Sequence, residues 1–431
     1  MNPPKKKEKN ESMTADSTQT PPLAGLTVLD LTTALAGPFA TLLLAGLGAR
    51  VIKIENPHNP DSCRTNAPYL GADGARLARE AEDDISISAI NRLRNKLGIT
   101  LNLKDPRGRE TFADLLPHAD IVAENFSGGV MERLGIGYDF ARRINPRIIY
   151  SSLSGFGGGA AGREPSSGKA MDTIIQAMSG LMETSGAETD PPVRLGVPIA
   201  DLVTPLFGVI GILAALQKRQ QTGLGQRVDV SMLGVMTSLV ACEPFDLLQR
   251  LGVPTRTGLT APRLAPFGLY QASDGYIALC APTEAFARNL FAAMERPDLA
   301  EDERFRTRDQ RVRHVAEIDA IVSEWMRPRT CADLLARLDA TGTPAARVRS
   351  PQEAVCDPLV LDPGDIVPLA HPRHGFVEEV YGIGMPIHFS DSPAGFDTPP
   401  PAPGEHNRRI YGDLLGYSPE RIAELRAHGV I

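Results

Sequence analysis

Short apolar runs alternate with amphipathic stretches over residues 27–231, and this pattern predicts repeated β–α–β units. A helix that opens at Pro38 separates the first two runs, and Asp105 is placed to cap a helix beginning at Pro106. Continuous apolar strands are typical of a parallel sheet covered on both faces. Strands that alternate with helices predict a doubly wound α/β domain with right-handed crossovers. The predicted strands are residues 27–31, 50–55, 97–101, 120–124 and 147–153.

The most apolar segment is predicted to be a helix from Pro205 to Gln221. Almost no polar face remains on it, which indicates a buried helix, and Gly223 follows as a C-terminal stop. At this length it falls short of the roughly 18 apolar residues of a membrane span, so no membrane partner is expected. The alternating segment Arg227–Ser231 is typical of an edge strand.

The composition changes after residue 232, which predicts a second, smaller domain. Val253–Phe267 is rich in Pro, Gly, Thr and Arg, as linkers and loops are. A strand at Tyr276–Cys280 and helices from Glu284 and from Thr330 follow, and a last helix is predicted at Pro419–Ala427. The predicted division is a disordered tail (1–21), a large domain (22–232), a linker (233–259), a small domain (260–350) and a C-terminal segment (351–431).

Composition narrows the classes of function. The 431 residues suit two domains, and 45 basic against 52 acidic residues give a net charge of −7. Such acidity disfavours a nucleic-acid partner. Five widely spaced cysteines with no CxxC pair disfavour a disulfide framework and a cysteine-based zinc site. We therefore expect a cytoplasmic protein in a reducing compartment.

Most common catalytic and cofactor motifs do not fit. Gly157–Gly162 matches GxGxxG, but a loop follows it instead of a helix, so a flexible glycine loop is favoured over a nicotinamide dehydrogenase site. There is no HExxH, no GxSxG and no phosphate-binding GxxxxGK[ST] motif. His371, His374 and His406 lie in predicted loops and are expected to be solvated, and no metal site is expected.

Two acidic residues near apolar helices are the remaining candidates for chemistry. Asp172 lies in an apolar stretch that includes Met171. Asp201 precedes the predicted helix start at Pro205, where the helix dipole favours an ionised carboxylate. Aspartate is also a common N-cap in ordinary helices. On the residues alone, capping is favoured over catalysis for both, and a catalytic role stays open.

Several long motifs in order resemble the class III CoA-transferases, the formyl-CoA transferase and CaiB–BaiF family. The resemblance covers about residues 22–431 and is carried by TVLDLTTALAGPFATLLLAGLGARVIKIE, DIVAENFSGGVMERLG, NPRIIYSSLSGFG and PIADLVTPLFGVIGILAALQKRQQTGLGQRVDVS. It implies an interlocked homodimer in which each chain has a Rossmann-like doubly wound large domain and a smaller α/β domain. The C-terminal segment is implied to return to the large domain.

The resemblance also implies an activity. Asp201 matches the family's nucleophile, which takes CoA from an acyl-CoA donor as an aspartyl-CoA thioester and passes it to a carboxylic acid acceptor. Asp172 matches a position near the site and is a secondary catalytic candidate. The implied substrates are CoA esters and a small mono- or dicarboxylate, with no permanently bound cofactor and no metal. A glycine-rich loop covers the aspartate in the family, but the matching stretch 258–267 has one glycine only.

An acidic protein needs a local basic patch to bind CoA, whose phosphates are anionic. The resemblance implies such a patch around Lys96, Lys104, Arg133 and Lys169. The full set of implied CoA contacts is Leu35, Ala36, Lys96, Leu101, Lys104, Asn125, Phe126, Arg133 and Lys169.

Two alternatives to transfer remain open. The α-methylacyl-CoA racemases resemble this chain but carry a histidine directly before the position of Asp172. Here that residue is Met171, whose thioether cannot move an α-proton. A non-catalytic CoA-ester binder is the other alternative, and the presence of Asp201 disfavours it.

Overall fold

The computed structural model describes residues 20–158 and 169–431. Most of the predicted tail, and the predicted glycine loop from residue 159 onward, lie outside the described residues. The strands are β1 (Thr27–Asp30), β2 (Arg50–Glu55), β3 (Tyr69–Gly71), β4 (Gly74–Arg76), β5 (Ile85–Ser86), β6 (Lys96–Thr100), β7 (Ile121–Glu124), β8 (Ile149–Ser154), β9 (Arg227–Ser231), β10 (Phe267–Gln271), β11 (Tyr276–Cys280), β12 (Ala345–Arg347), β13 (Ile366–Pro368) and β14 (Tyr381–Ile383).

Helices connect these strands, and most of the longer ones begin at a residue whose side chain accepts a backbone N–H. They are α1 (Ala36–Gly46), α2 (Ile87–Leu93), α3 (Pro106–Leu115), α4 (Val130–Arg133), α5 (Tyr138–Ile144), α6 (Asp172–Met178), α7 (Ile199–Thr222), α8 (Met232–Val240), α9 (Phe245–Arg250), α10 (Glu284–Ala293), α11 (Asp298–Glu301), α12 (Arg308–Arg313), α13 (Val315–Met326), α14 (Cys331–Thr341), α15 (Pro351–Val355), α16 (Pro358–Leu361) and α17 (Pro419–Ala427). Asp105 caps α3 as predicted, since its side chain accepts the N–H of Arg107.

The centre of the fold is a parallel sheet with the strand order β6-β2-β1-β7-β8-β9. Counted along the chain, this is the order 3-2-1-4-5-6 of a doubly wound Rossmann-like sheet, so the predicted α/β class is confirmed. The direction of winding reverses between β1 and β7. In such sheets ligands bind outside the carboxyl ends of the strands at this switch point, which here lies beside Asp30 and Glu124.

Both faces of the sheet are covered, which explains the continuous apolar strands. On one face α1 and α7 pack with Leu44, Ile212 and neighbours, and on the other Phe112 and Tyr150 pack with the C-terminal residues. The C-terminal segment reaches β6 directly, because the side chain of Asn407 accepts the N–H of Thr100 at 2.9 Å. A separate apolar core forms around the antiparallel sheet β10-β11-β12 and the helices α10 to α14.

The long apolar helix differs from its prediction in two ways. It begins at Ile199 and includes Pro205, so with 24 residues and a mean hydropathy of 2.2 it is long and apolar enough for a membrane span by those measures alone. One of its faces packs on the sheet, where Gly208 approaches Leu153 so closely that a Cβ would lie 2.8 Å from it. The opposite apolar face is 38–63% exposed, so the prediction of a fully buried helix is wrong; it carries Leu206, Phe207, Ile210 and Leu213.

Candidate active site

A cavity of about 620 Å³ opens at the switch point of the parallel sheet. The loops that follow β1, β7 and β8 form its walls, and both candidate acids, Asp172 and Asp201, line it. Most of the CoA contacts implied by resemblance line it as well: Leu35, Ala36, Asn125, Phe126, Arg133 and Lys169. The fold therefore brings residues from four separate parts of the chain to one concave site.

Asp201 lies in the first turn of α7, three residues after Pro198, which precedes the helix. Burial raises the pKa of its carboxyl to about 6, the charge of Asp172 adds to this rise, and Arg92 opposes it. The positive end of the helix dipole favours the ionised form. Asp201 is thus a partly desolvated carboxylate that is still ionised above pH 6, which suits a nucleophile.

Asp172 is buried and holds α7 in place. One of its oxygens accepts the backbone N–H of Ala200 at 2.9 Å, and the other accepts a hydrogen bond from the Gln176 side chain at 2.7 Å. The Gln176 side chain in turn accepts the N–H of Leu195 at 2.9 Å. Asp172 therefore caps the helix that carries Asp201, although it is itself the first residue of α6. This contact supports a positioning role for the carboxylate.

The loop between β1 and α1 is fixed from both sides. The Asn125 side chain accepts the N–H of Thr33 at 2.7 Å and donates to its carbonyl at 2.9 Å. Ala34 has a φ of 68°, a left-handed conformation that costs a non-glycine residue about 1–2 kcal/mol. Its N–H donates to Asp61 at 2.8 Å and its carbonyl accepts from Arg92 at 3.1 Å, so two long-range contacts hold this conformation.

The first turn of α1 lies at the cavity, and the residue before it supplies no side-chain cap. Leu35 precedes the helix and offers no acceptor to its N–H groups, which is a favourable arrangement for an anionic or carbonyl ligand. Gly37 lets this turn approach the neighbouring loop, because a Cβ there would lie 2.2 Å from the Thr32 side chain. Arg133 and Lys169 bring positive charge to the same cavity.

The structure does not bring three of the implied CoA contacts to the cavity. Lys96 is fully buried, where its Nζ lies 3.0 Å from an Asp30 carboxylate oxygen and donates to Thr41 at 2.8 Å. Leu101 packs in the core beneath the sheet, and Lys104 is exposed but outside the cavity. Of the expected basic patch, Arg133 and Lys169 line the cavity, whereas Lys96 is taken up by a core ion pair; the binding of CoA by these residues stays a prediction.

That ion pair belongs to a buried network below the β1–α1 loop. Lys53 pairs with Asp61 at 2.9 Å and also interacts with Asp30. Burial alone would raise the pKa of Asp30, but Lys96 and Lys53 together lower it to about 2. The network therefore keeps Asp30 and Asp61 ionised, and Asp61 in turn holds Ala34.

Gln176, Asp61 and Arg92 escaped the sequence reasoning, because their contacts join residues far apart in the chain. The glycine-poor loop 258–267 does not line the cavity; Gly258 donates its N–H to Gly186 at 2.9 Å. A role for that loop over Asp201 stays a prediction.

The histidine prediction is wrong for one residue. His371 is buried, and its Nε2 lies 2.9 Å from the carbonyl of Asp83. Its ring stacks on that of His374 with centroids 4.5 Å apart. Within residues 20–158 and 169–431, no group of three or more His, Cys, Asp or Glu side chains is arranged to hold a metal ion.

Comparisons with known proteins agree with this geometry. The chain is 34% identical to the succinyl-CoA–D-citramalate CoA-transferase of Chloroflexus aurantiacus over 96% of its own length and 100% of that protein. It is 35% identical to the succinyl-CoA:mesaconate CoA-transferase of Haloarcula marismortui over 86% and 92% of the two chains. The crystal structure of a CaiB/BaiF family protein from Brucella suis superposes with a TM-score of 0.76 at 33% identity, covering 92% of this chain and 100% of that one. The model of CoA-transferase family III matches residues 23–407. This protein therefore belongs to CoA-transferase family III, the CaiB–BaiF family, and is a class III CoA-transferase whose substrates are CoA esters.

Proposed function

We propose that this enzyme moves CoA between small dicarboxylic acids, with succinyl-CoA as a donor and Asp201 as the nucleophile. The observation that carries the proposal is the partly desolvated Asp201 carboxylate in the cavity at the sheet's switch point. The relatives from Chloroflexus and Haloarcula are both named for succinyl-CoA and a dicarboxylic acceptor, which supports this substrate class.

The proposed transfer consists of balanced acyl exchanges. A carboxylate oxygen of Asp201 attacks the thioester carbonyl, the C–S bond breaks, and CoA leaves as a thiolate with a mixed anhydride formed. The thiolate then attacks the Asp201 carbonyl carbon of the anhydride, which releases the donor acid as a carboxylate and leaves an aspartyl-CoA thioester. The acceptor carboxylate reverses both steps. Covalent catalysis thus divides one difficult exchange into easier steps without net proton transfer.

Local surroundings suit Asp201 for this role. A carboxylate of ordinary pKa is a weak nucleophile, and burial has raised the pKa of Asp201 to about 6. Partial exclusion of water also protects an anhydride from hydrolysis. The N–H groups of the first turn of α1 also lie at this cavity. They can donate hydrogen bonds to a carbonyl oxygen of the substrate or to a CoA phosphate.

The CoA moiety is proposed to lie along the wall formed by the loops after β1 and β7. Phe126 provides an apolar surface there, and Arg133 and Lys169 provide charge for the phosphates. Asn125 is already engaged with Thr33, so its proposed effect on CoA is to hold the loop that contains Leu35.

A homodimer is also proposed. The exposed apolar face of α7 lies beside α6, where Ile174 and Met178 are also exposed, by 46% and 45%. Large exposed apolar areas usually mark an interface, and these two helices pack against each other. Light scattering should give twice the chain mass, and Ile210→Glu should lower it. The five cysteines are free thiols, as expected for the proposed cytoplasmic location.

Transfer is tested by incubating the protein with succinyl-CoA and each of several dicarboxylic acids, and by following the new CoA ester chromatographically. Hydroxylamine added after the donor should modify Asp201, as detected by peptide mass. Asp201→Asn should abolish both the new CoA ester and the modification by hydroxylamine. The control Asp139→Asn, in the first turn of α5, should retain both. Full activity in Asp201→Asn would refute the mechanism.

A further inference from the structure

Arg92 is a partly buried arginine with most of its hydrogen-bonding capacity unused. It lies in the last turn of α2, and its one hydrogen bond within residues 20–158 and 169–431 joins Nη1 to the carbonyl of Ala34. No carboxylate in those residues forms an ion pair with it, and burial lowers its pKa. The edge formed by Nε and Nη2 therefore has no hydrogen-bond partner among the described residues.

Three other arginines that lose hydration in this fold are compensated, whereas Arg94 also keeps a buried Nε without a hydrogen-bond partner in the described residues. Arg64 pairs with Glu55 at 2.6 Å, and Arg219 pairs with Asp120 at 3.0 Å. Arg311 donates to three backbone carbonyls at 3.0–3.2 Å. Arg92 is partly desolvated and makes one carbonyl contact in return. A guanidinium group in this situation is suited to bind a ligand anion.

The position of Arg92 points to the acyl end of the substrate. The residue it contacts, Ala34, lines the same cavity as Asp201. Arg92 and Asp201 also interact electrostatically, since each changes the pKa of the other. Arg92 is not itself among the residues that line the cavity, but its hydrogen bond places the guanidinium group against the cavity wall at Ala34. The cavity residues Arg133 and Lys169 supply the positive charge proposed for the CoA phosphates.

We propose that Arg92 binds the remote carboxylate of a dicarboxylic acyl group while its thioester end faces Asp201. The Nε and Nη2 donors of a guanidinium match the two oxygens of a carboxylate, and such bidentate pairs are strong and directional. The inference rests on the proposed transfer of CoA between dicarboxylic acids. It makes Arg92 the residue that distinguishes a dicarboxylic from a monocarboxylic acyl group.

The test compares two CoA esters in one set of variants. Transfer from succinyl-CoA and from butyryl-CoA, which has the same chain length but no second carboxylate, is measured at pH 8, where Asp201 is ionised. Arg92→Gln should lower kcat/KM for succinyl-CoA by about 30- to 100-fold and for butyryl-CoA by less than about threefold. Arg92→Lys should give an intermediate loss for succinyl-CoA, because lysine keeps the positive charge but lacks the paired donors of a guanidinium group.

Arg109→Gln is the matched control, because Arg109 is also partly buried and donates, in the part of the chain that the structure describes, to the carbonyls of Leu103 and Lys104, neither of which lines the cavity. It should change neither ester's kcat/KM. Equal losses for both esters in Arg92→Gln would overturn the inference, since they would indicate contact with CoA or a general effect on Asp201. If Arg92→Gln does not fold, the inference is tested on Arg92→Lys by the same comparison, the loss of kcat/KM for succinyl-CoA against the loss for butyryl-CoA. If the wild-type protein uses neither ester, the proposed function fails and this inference with it.

Discussion

The raised pKa of Asp201 predicts a distinctive acid limb in the pH dependence of transfer. With a pKa of about 6, the carboxylate is about 99% ionised at pH 8 but only about 9% ionised at pH 5. We expect kcat/KM for succinyl-CoA to fall roughly tenfold over this interval. An aspartate at the ordinary value of 3.8 would lose only about 6% of its charge at pH 5, so the two cases are easily separated.

The neighbouring Asp172 allows the cause of this shift to be tested. Asp172→Asn removes a negative charge that raises the pKa of Asp201, while the amide oxygen can still accept the N–H of Ala200. The acid limb should move to lower pH without reaching 3.8, because burial, the largest cause of the shift, remains.

The assay is kcat/KM for the release of succinate from succinyl-CoA, measured between pH 5 and pH 9 at constant ionic strength. Circular dichroism at each pH establishes that the protein stays folded, and Asp139→Asn controls for a general change in charge. A wild-type rate that stays level down to pH 5 would refute the assigned pKa. A limb that does not move, or moves upward, in Asp172→Asn would refute the role of that carboxylate.

Three further predictions concern stability, measured as the free energy of unfolding in urea. The folded-state pKa of Asp201 lies above its unfolded value, so its ionised form lowers the free energy of unfolding above pH 6 and has no such effect below about pH 4. Asp201→Asn should therefore add about 1–2 kcal/mol to the free energy of unfolding at pH 8, and this gain should vanish at pH 4. Lys96→Met should cost about 3 kcal/mol or more, because it leaves Asp30 buried without its closest cation. The exposed control Lys104→Met should change stability by about 0.5 kcal/mol or less, and similar losses in both variants would contradict the buried ion pair. Ala34→Gly should stay within about 1 kcal/mol of wild type, but Ala34→Val should lose about 2 kcal/mol because a β-branched residue is strained at a φ of 68°; equal stabilities would refute the strain.

Local patterns predicted many elements well. The strands Arg50–Glu55, Arg227–Ser231 and Tyr276–Cys280 and the helix Pro419–Ala427 have the bounds that their sequence patterns predicted. Such elements depend on alternation, apolar runs and capping residues, all of which are local. The start of α7 was misplaced because Pro205, although suited to a first turn, lies in the second turn of this helix.

Contacts between distant residues limited the prediction of the site. Lys96 resembles a CoA-binding lysine in its motif, but Asp30, 66 positions earlier, takes up its charge in the core. The capping expected of Asp172 does occur, but on the helix that begins 27 residues later rather than on its own helix. Neither contact can be predicted from the spacing of residues along the sequence.

The sequence by itself determined the α/β alternation, the family to which the chain is similar and the identity of Asp201 as the candidate nucleophile. These properties are carried by local patterns and by motifs in order. Only the tertiary structure decided the raised pKa of Asp201, the capping contact of Asp172, the burial of Lys96 and the hydrogen bond from Arg92 to the carbonyl of Ala34. The reason is physical: desolvation and charge pairing depend on distances between atoms that the folded chain brings together, and those distances follow from the packing of strands and helices rather than from the neighbours of each residue along the chain.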